Sequence, residues 1–522
     1  MAPAPLVTVK NLSMSISGQT LFQGLSFSIE RGKLLTIIGA NGCGKSSVLR
    51  LLQSRGGKQS DELTEDGFLV TGQVSVAGGT LAAYLPQNVR TDDRVEEFTR
   101  SLTNESAGLQ ARLEKRFGLN AEVELGLAVS DGEFQKRAII NLLLGDDDLY
   151  LLDEPTNYLD IAGITAFEDH VSELKSRGKG VILVSHDRTL IDNLADETIL
   201  LSGHGIYRAD GGASSVWAVY DCDFESRRSR AKDIEKKIVQ LQSDTRQKAD
   251  WSAVSERRKI GAGSAKAHLG KLSKKMAKRS KVVQRRCEKE AERLKTTKPF
   301  IPKKVKLQFP DYEIRKLNVF SLKEVSFDYG GEQDGKSCKA PPDLLKEIGL
   351  SANTGEKMCL MGTNGAGKST ILKLIQKQLT PTGGTVYLNE SVKLANIPQG
   401  LIGYFDKVRL IDNFESVPLE QSVVRQYLGS VLLRGEKVNQ SVASLSSGEL
   451  MRAALVKCIL ERAEFLLLDE PTSHLDIESI VVAEQLLAEF KGGFLMISHD
   501  RSFVTSTAEQ LYYVEGGTLR LV

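Results

Sequence analysis

The sequence predicts an α/β protein built as two similar halves, with a basic antiparallel α-helical hairpin between them. Three observations carry that prediction. A glycine-rich loop, a serine-glycine element, a double carboxylate and a histidine follow one another across residues 39–187, and the same order returns across 362–500. Apolar runs of strand length end at these loops and carboxylates, with helical runs after them, the pattern of a parallel sheet buried on both faces. Charge is also unevenly distributed. Residues 225–306 hold 27 Lys and Arg against nine Asp and Glu, a net of +18, which leaves −16 for the rest of a chain whose total is +2.

At 522 residues the chain has room for two to four domains, and a hydrophobic content of 41% is ample for packed cores. The expected division is 1–222, 223–306 and 307–522. The opening Met1-Ala2-Pro3-Ala4-Pro5 lacks a basic stretch followed by an apolar one, so no secretory signal is expected. No apolar run approaches the ~18 residues that a membrane span requires. The six cysteines (Cys43, Cys222, Cys287, Cys338, Cys359, Cys458) are scattered, without C-x-x-C or zinc spacing. Reduced thiols in the cytoplasm, no disulfide and no structural metal are expected.

In chain order, two-residue alternation around Val7–Ile16 and Leu25–Ile29 predicts strands. The apolar run Leu34–Ile38 leads into Gly39-Ala40-Asn41-Gly42-Cys43-Gly44-Lys45-Ser46, and Ser47 to Leu52 reads as helix. This is G-x-x-x-x-G-K-S between strand and helix, where it signifies a phosphate loop. Gly39, Gly42 and Gly44 let backbone N–H groups close on phosphate oxygens, Lys45 reaches the β- and γ-phosphates, and the Ser46 hydroxyl serves Mg²⁺. Ser130-Asp131-Gly132-Glu133 precedes a second helical run. Leu149–Leu152 is a central strand ending at Asp153-Glu154, one carboxylate for Mg²⁺ and one to polarise a water. Val181–Val184 ends at Ser185-His186-Asp187. A lone histidine is usually structural, but the carboxyl end of a strand beside a phosphate loop is where α/β sheets place ligand contacts.

The insert has a shape as well as a charge. Ile234, Ile238 and Leu241 fall at helical spacing, and so do Leu269, Leu272, Met276, Val283, Cys287 and Leu294. Glycines in Lys259–Ser264 reverse the chain between these seams. Two helices of roughly 30 residues would each reach ~45 Å. A solvated linker is the plainer alternative, but it explains neither the apolar seams nor the single sign of charge. Such an arm suits a polyphosphate surface, where each Lys or Arg replaces a condensed counterion.

The second half repeats the first. Gly362-Thr363-Asn364-Gly365-Ala366-Gly367-Lys368-Ser369 is another phosphate loop, Leu445–Glu449 another serine-glycine element, Asp469-Glu470 another double carboxylate and His499 another histidine. Serine and aspartate stand 23 residues apart in both copies, Ser130 to Asp153 and Ser446 to Asp469. Gly330–Pro342 is turn-rich and reads as a surface loop.

On these motifs the chain resembles a tandem ATP-binding cassette protein along nearly its whole length. Gly39–Ser46 and Gly362–Ser369 resemble Walker A, with Ser47 and Thr370 following. Ser130–Phe134 and Leu445–Glu449 resemble the signature loop, and Asp153-Glu154 and Asp469-Glu470 resemble Walker B with its catalytic glutamate. Gln87 and Gln399 resemble the Q-loop, and His186 and His499 the switch histidine. The resemblance implies catalytic roles for Glu154, Glu470, His186 and His499. It implies ATP contacts from Asn41, Asn364, Gly365, Gly367, Lys368, the glutamines and the signature residues Ser130, Gly132, Glu133, Ser446, Gly448 and Glu449. It implies Mg²⁺ at Ser46, Gln87 and Asp153, and at Ser369, Gln399 and Asp469. Each ATP would lie between the Walker A of one cassette and the signature of the other, within a monomer.

The run Asp153–Asp160, echoed by Glu470–Asp476, and the glutamates Glu133 and Glu449 narrow the resemblance to the ABC-F group, as does the basic linker. That group acts on ribosomes, carries no membrane domain, and sends its linker hairpin toward rRNA and tRNA at the exit site. Three departures stand out. Asp131 replaces the usual signature Gly, which would place a carboxylate near the second ATP. Ile16 occupies the adenine-stacking position that Tyr329 keeps in the second copy. Only 43 residues separate Gln87 from Ser130, against 47 between Gln399 and Ser446, too few for the extra arm of some relatives. The expected function is a soluble ribosome-binding ATPase, either a translation factor or an antibiotic-protection factor. The alternatives are the ATP-binding subunit of a membrane transporter and a DNA-repair ATPase.

Overall fold

A computed structural model describes residues 5–54, 62–63, 68–87, 107–119, 131–257, 282, 285–286, 289–290, 293, 314–330 and 344–522. The chain divides into two compact units, Met1–Val216 with Val305–Val522, and Trp217–Lys304.

In the first half, β1 (Val7–Ile16) and β2 (Gln19–Ile29) pair antiparallel, and β3 (Leu34–Gly39) runs into α1 (Lys45–Ser54). Then come β4 (Glu62–Leu63), β5 (Phe68–Val76), β6 (Ala82–Leu85), α2 (Ala107–Arg116), α3 (Asp131–Leu143) and β7 (Leu149–Asp153). Helix α4 (Ile161–Ser176), β8 (Gly180–Val184), α5 (Arg188–Leu194), β9 (Glu197–Ser202) and β10 (Gly205–Asp210) complete it. One sheet has the order β2-β1-β5-β4, and the other β10-β9-β3-β8-β7-β6. In the second sheet β6, β7, β8, β3 and β9 are parallel.

Period-two alternation sorts the central strands between two cores. Leu35, Ile37, Leu149, Leu151, Ile182 and Val184 pack with α1 and the antiparallel sheet. Their neighbours Leu34, Tyr150, Leu152, Val181 and Leu183 pack with α2, α3 and α4. Each fully buried aliphatic side chain contributes about 2 kcal/mol. A strand apolar on both faces can only be central, so β3, β7 and β8 lie side by side and end at one edge.

Between the halves runs α6 (Ala213–Arg257), one continuous helix of 45 residues, about 67 Å long. It corrects the expected ~30-residue helix, and it begins inside the stretch assigned from sequence to the first domain. The reason is a cap the local sequence does not show. Asp192, 22 residues upstream on α5, accepts the Ser214 N–H at 2.9 Å and the Ser214 hydroxyl at 2.6 Å. Along α6 the seam emerges, with Ala231 buried and Ile234, Ile238 and Leu241 half-buried between exposed charges. The second seam and the 259–264 turn lie outside the described residues, where Val282, Arg285, Arg286, Lys289, Glu290 and Arg293 are helical and exposed. The 331–342 loop also lies outside them.

The second half restates the first with β11 (Asn318–Phe327), β12 (Leu345–Asn353), β13 (Lys357–Gly362), α7 (Lys368–Ile375), β14 (Gly383–Leu388) and β15 (Leu394–Ile397). Helices α8 (Gln421–Ser430) and α9 (Ser447–Leu460) lead to β16 (Phe465–Asp469), α10 (Ile477–Glu489), β17 (Gly493–Ile497), α11 (Arg501–Thr507), β18 (Gln510–Glu515) and β19 (Thr518–Leu521). The large sheet, β15-β16-β17-β13-β18-β19, reproduces the order of the first. Cys43, Cys222, Cys359 and Cys458 are free thiols, and Cys287 and Cys338 lie outside the described residues.

Candidate functional site

Each glycine-rich loop joins a central strand to a helix that starts at the loop lysine. Gly39 and Gly362 have φ of 155° and 145°. A Cβ at either would strike backbone, the carbonyl of Leu201 or of Val514, so only glycine lets these strands lie so close. The lysines are buried and held by the loops themselves. Lys45 Nζ donates to the Gly39 and Ala40 carbonyls at 2.8 and 3.1 Å, and Lys368 Nζ to Gly362 and Thr363 at 2.9 Å each. An ammonium ringed by loop carbonyls, with amide N–H groups and a helix start beside it, is a cradle for an anion.

Asp153 and Asp469 end the neighbouring strands. Ser369 Oγ donates to Asp469 Oδ1 at 3.3 Å, and Ser46 stands in the same relation to Asp153. Burial raises the pKa of both aspartates, with the serines acting against it. Asp153 Oδ1 is buried without a hydrogen-bond partner. A hydroxyl beside a carboxylate with spare acceptor capacity is a hard-oxygen pair that fits Mg²⁺.

The next residues, Glu154 and Glu470, both have φ of 49°, a left-handed conformation that costs a non-glycine residue roughly 1 kcal/mol or more. It is held by bonds from Glu154 N to the Val184 carbonyl at 2.9 Å and from Glu470 N to Ile497 at 3.0 Å. The turn aims each carboxyl at a histidine. His186 Nε2 lies 3.1 Å from Glu154 Oε1, and His499 Nε2 lies 3.4 Å from Glu470 Oε1. Burial pushes both glutamates up to about 8 and the histidines down to about 3 and about 4. Burial thus disfavours the charged form of both partners in each pair.

That burial makes a stability prediction for the nucleotide-free protein. Folding raises each glutamate from 4.5 to about 8, so the folded form holds protons that the unfolded form releases in that window. The glutamates' contribution is therefore lost as pH rises from about 4.5 to about 8, while the histidines, held neutral by burial, contribute in the opposite sense below their ordinary value of 6.5. Glutamine is neutral throughout, so Glu154→Gln with Glu470→Gln should melt several degrees above wild type at pH 8. The gain should vanish near pH 4.5. Equal melting temperatures at both pH values would refute the burial argument.

The two halves meet across these loops. Asp160 caps α4 by accepting the Gly163 N–H at 2.9 Å, and its second oxygen accepts the Asn364 N–H of the opposite loop at 3.1 Å. Asp476 caps α10 from Ser479 N at 2.9 Å and accepts Asn41 N at 3.2 Å. Burial acts to raise both aspartates, but hydrogen bonds outweigh it and hold both low, from the Gly163 and Asn364 N–H groups at Asp160 and from the Ser479 hydroxyl and the Ser479 and Asn41 N–H groups at Asp476. The loop asparagines complete the exchange, Asn41 donating to the His474 carbonyl and Asn364 to that of Tyr158, each at 3.2 Å.

Two cavities result. One of about 500 Å³ gathers Asn41, Gly42, Gly44, Lys45, Ser46, Ser47, Gln87, Asp153, Glu154 and His186, closed by Ser447 and His474 of the second half. Its apolar wall is Ile16 and Leu21. The other, about 630 Å³, gathers Asn364, Gly365, Gly367, Lys368, Ser369, Thr370, Gln399, Asp469, Glu470 and His499 with Asn157 and Tyr158 of the first half. Its wall is Tyr329 and Leu344. The Tyr329 hydroxyl and Thr370 Oγ1 are 3.0 Å apart, and its ring meets Phe327 edge-on.

The serine-glycine elements are placed less directly. Ser446 and Glu449 form a capping box on α9, with Glu449 N donating to Ser446 Oγ at 3.3 Å and Ser446 N to Glu449 Oε2 at 3.0 Å. Lys437 also pairs with Glu449. Gly448 packs where a Cβ would collide with the Ser479 hydroxyl. It is Ser447, not Ser446, that lines the opposite cavity. Ser130 lies outside the described residues, α3 begins at Asp131 with Gly132 second, and Glu133 is exposed on it.

Comparison with known proteins names this arrangement. A family profile described as "ABC transporter" matches residues 22–157 and 345–473, just over half the chain. A relative called "ABC transporter F family member 5", from Arabidopsis thaliana, is 26% identical over 98% of this chain and 75% of its own length. The mouse (Mus musculus) "ATP-binding cassette sub-family F member 3" is 27% identical over 99% and 72%. The chain belongs to the ATP-binding cassette family, in its F subfamily. It is an ATPase with two nucleotide-binding cassettes. Among solved structures, the archaeal ribosome recycling factor aABCE1, in complex with the stalk protein aP1, has the same fold at a TM-score of 0.59. It is 19% identical, with 94% of this chain and 85% of that chain covered.

In this ABC-F protein, the sequence motifs point to residues on each cassette's own sheet and to the signature residues of the opposite cassette. Asp160, Asp476, Ser447, Tyr158 and His474 are not among them, although all lie within the runs 153–160, 445–449 and 470–476. The available signal was the Leu-Asp that ends both Glu-Pro-Thr runs, since an aspartate before a helix caps with one oxygen and keeps the other free.

Proposed function

We propose that this ATPase binds ribosomes in the cytoplasm as a monomer, its two cassettes pairing within the chain, and that its basic insert is an arm engaged and withdrawn through the ATP cycle. The observation that carries the reading is α6, 45 continuous helical residues entering an insert of net charge +18. A surface of closely spaced phosphates, rRNA and tRNA near the exit site, matches one-signed charge on a rigid helix. The solved protein of the same fold, aABCE1, is an archaeal ribosome recycling factor. A translation factor is the first form of this reading; protection of ribosomes from antibiotics is the second. A division at 1–222, 223–306 and 307–522 is proposed for the functional parts.

At the sites, the loop glycines, Asn41, Asn364, Ser47 and Thr370 hold the triphosphate, and Lys45 and Lys368 contact its β- and γ-phosphates. Ser46, Asp153 and Gln87, and Ser369, Asp469 and Gln399, would hold Mg²⁺, which neutralises phosphate charge when bound. Glu154 and Glu470 orient and deprotonate the attacking water, with His186 and His499 fixing each carboxyl. Ser446, Gly448 and Glu449 complete the first site, and Ser130, Gly132 and Glu133 the second. Tyr329 stacks on the second base, while Ile16 offers the first only an aliphatic wall.

No described helix is long and apolar enough to cross a membrane. Co-sedimentation of the full-length protein with ATP, against ribosomes, duplex DNA and lipid vesicles in parallel, tests the reading. Retention with ribosomes alone, weakened by salt, is expected. Retention with vesicles or DNA instead would favour a transporter subunit or a repair ATPase.

A further inference from the structure

Helix α10 touches the opposite cassette at two points. At its start, Asp476 accepts the Asn41 N–H of the first phosphate loop at 3.2 Å. Eight residues later, about 12 Å along the axis, Glu484 accepts Arg188 Nη1 at 3.2 Å, a second bond from Arg188 Nη2, and the Ser506 hydroxyl at 3.0 Å. Arg188 opens α5, two residues beyond His186, which faces Glu154. One helix of the second cassette thus grips both the phosphate loop and the histidine segment of the first site.

The other site is built alike. On α4, Asp160 accepts Asn364 N at 3.1 Å, and Glu168, again eight residues on, accepts Arg501, two residues beyond His499. Arg501 also lies 3.9 Å from Asp187. The four paired side chains are only 15–23% exposed. Arg188 Nε and Arg501 Nε are buried without hydrogen-bond partners, so Arg188 is anchored through both Nη groups and Arg501 through Nη2. The planar, forked pairing of Arg188 with Glu484 fixes direction as well as distance, and Arg501 meets Glu168 through one such bond.

We propose that α10 and α4 act as struts in trans, each setting the spacing between phosphate loop and switch histidine of the opposite ATP site through the pairs Arg188–Glu484 and Arg501–Glu168. The arginines and glutamates are positioning residues that touch no nucleotide. Because each pair spans the two cassettes, the histidine is held in place when they are closed and is released when they part. The inference rests on the proposed roles of Glu154, His186, Glu470 and His499.

Single-turnover ATP cleavage in the full-length protein separates the sites, since it needs no reopening. Glu470→Gln leaves the first site to be read and Glu154→Gln the second. Glu484→Gln should slow first-site cleavage about tenfold, with the second site within about twofold and ATP affinity unchanged; Glu168→Gln should do the reverse. Exchanging the charges, Arg188→Glu with Glu484→Arg, should restore most of the rate. Should Glu484→Gln fail to fold, Arg188→Lys keeps the charge without the fork and should slow the first site about threefold. Equal slowing at both sites, loss of affinity in place of rate, or no change would overturn the struts. If Glu154→Gln with Glu470→Gln still cleaves at the wild-type rate, the site assignment falls and takes the struts with it. If that double variant is silent and Glu484→Gln is as fast as its parent, the struts alone fall.

Discussion

Glu154→Gln combined with Glu470→Gln should reduce ATP hydrolysis by roughly 10²–10⁴-fold while ATP still binds, and should make the protein accumulate on ribosomes. Each glutamate follows the strand-end aspartate, is buried, and is turned toward a histidine about 3 Å away. Glutamine keeps the shape and a hydrogen bond, but it cannot accept a proton. The phosphate loops, with Lys45 and Lys368 intact, retain the nucleotide. A protein that binds ATP without splitting it stays in whichever state the γ-phosphate favours. If that closed state is the ribosome-bound one, the variant co-sediments with ribosomes when ATP is present and inhibits translation. Adding Lys45→Ala and Lys368→Ala should relieve the block by removing binding. A folded, ATP-binding double Gln variant with no ATP-dependent enrichment on ribosomes would sink the ribosome reading.

Neutralising Lys271, Lys274, Lys275, Lys278 and Arg279 together should produce the other large change, this time in partner binding alone. Each cation lost from a phosphate contact lowers the slope of log affinity against log salt by up to about 0.9. Five substitutions should therefore flatten the salt dependence of ribosome binding markedly and weaken binding at low salt. ATPase activity of the isolated protein should persist, because none of the five belongs to a phosphate-site motif. Titration of ribosome binding between 50 and 200 mM salt, beside an ATPase assay, checks both halves. Equal loss of binding and hydrolysis would mean that the insert is required for folding.

What the sequence makes legible here is whatever is local. Leu149–Leu152 and Val181–Val184 announce central strands because every position is apolar, and the loops and carboxylates at their ends follow from chain direction. The phosphate loops need only eight consecutive residues. What stays hidden depends on residues far apart in the chain. The start of α6 is set by Asp192, and nothing at Ala213 itself marks it. Asp160 and Asp476 look like ordinary helix caps until their second oxygens are found on the opposite cassette's loop. Arg188 and Arg501 carry no sequence signal for the glutamates they meet, which lie 296 and 333 residues away. Ser446, the expected trans contact, caps its own helix, and the neighbouring Ser447 lines the cavity beside it.

The unbroken course of α6 also matters for the scale of motion available to the chain. Its first four residues, Ala213–Val216, belong to the compact unit that holds both ATP sites, and the remaining 41 do not. A helix without an interruption behaves as a lever. Turning the root of a ~67 Å rod by about 10° carries its far end roughly 12 Å, several times any shift needed at a phosphate. On the proposed reading, a small, forceful movement at the nucleotide would become a long stroke at a distance. It follows that a glycine pair inserted near Arg230 should act as a slipped gear, leaving ATP turnover intact while its mechanical output is lost.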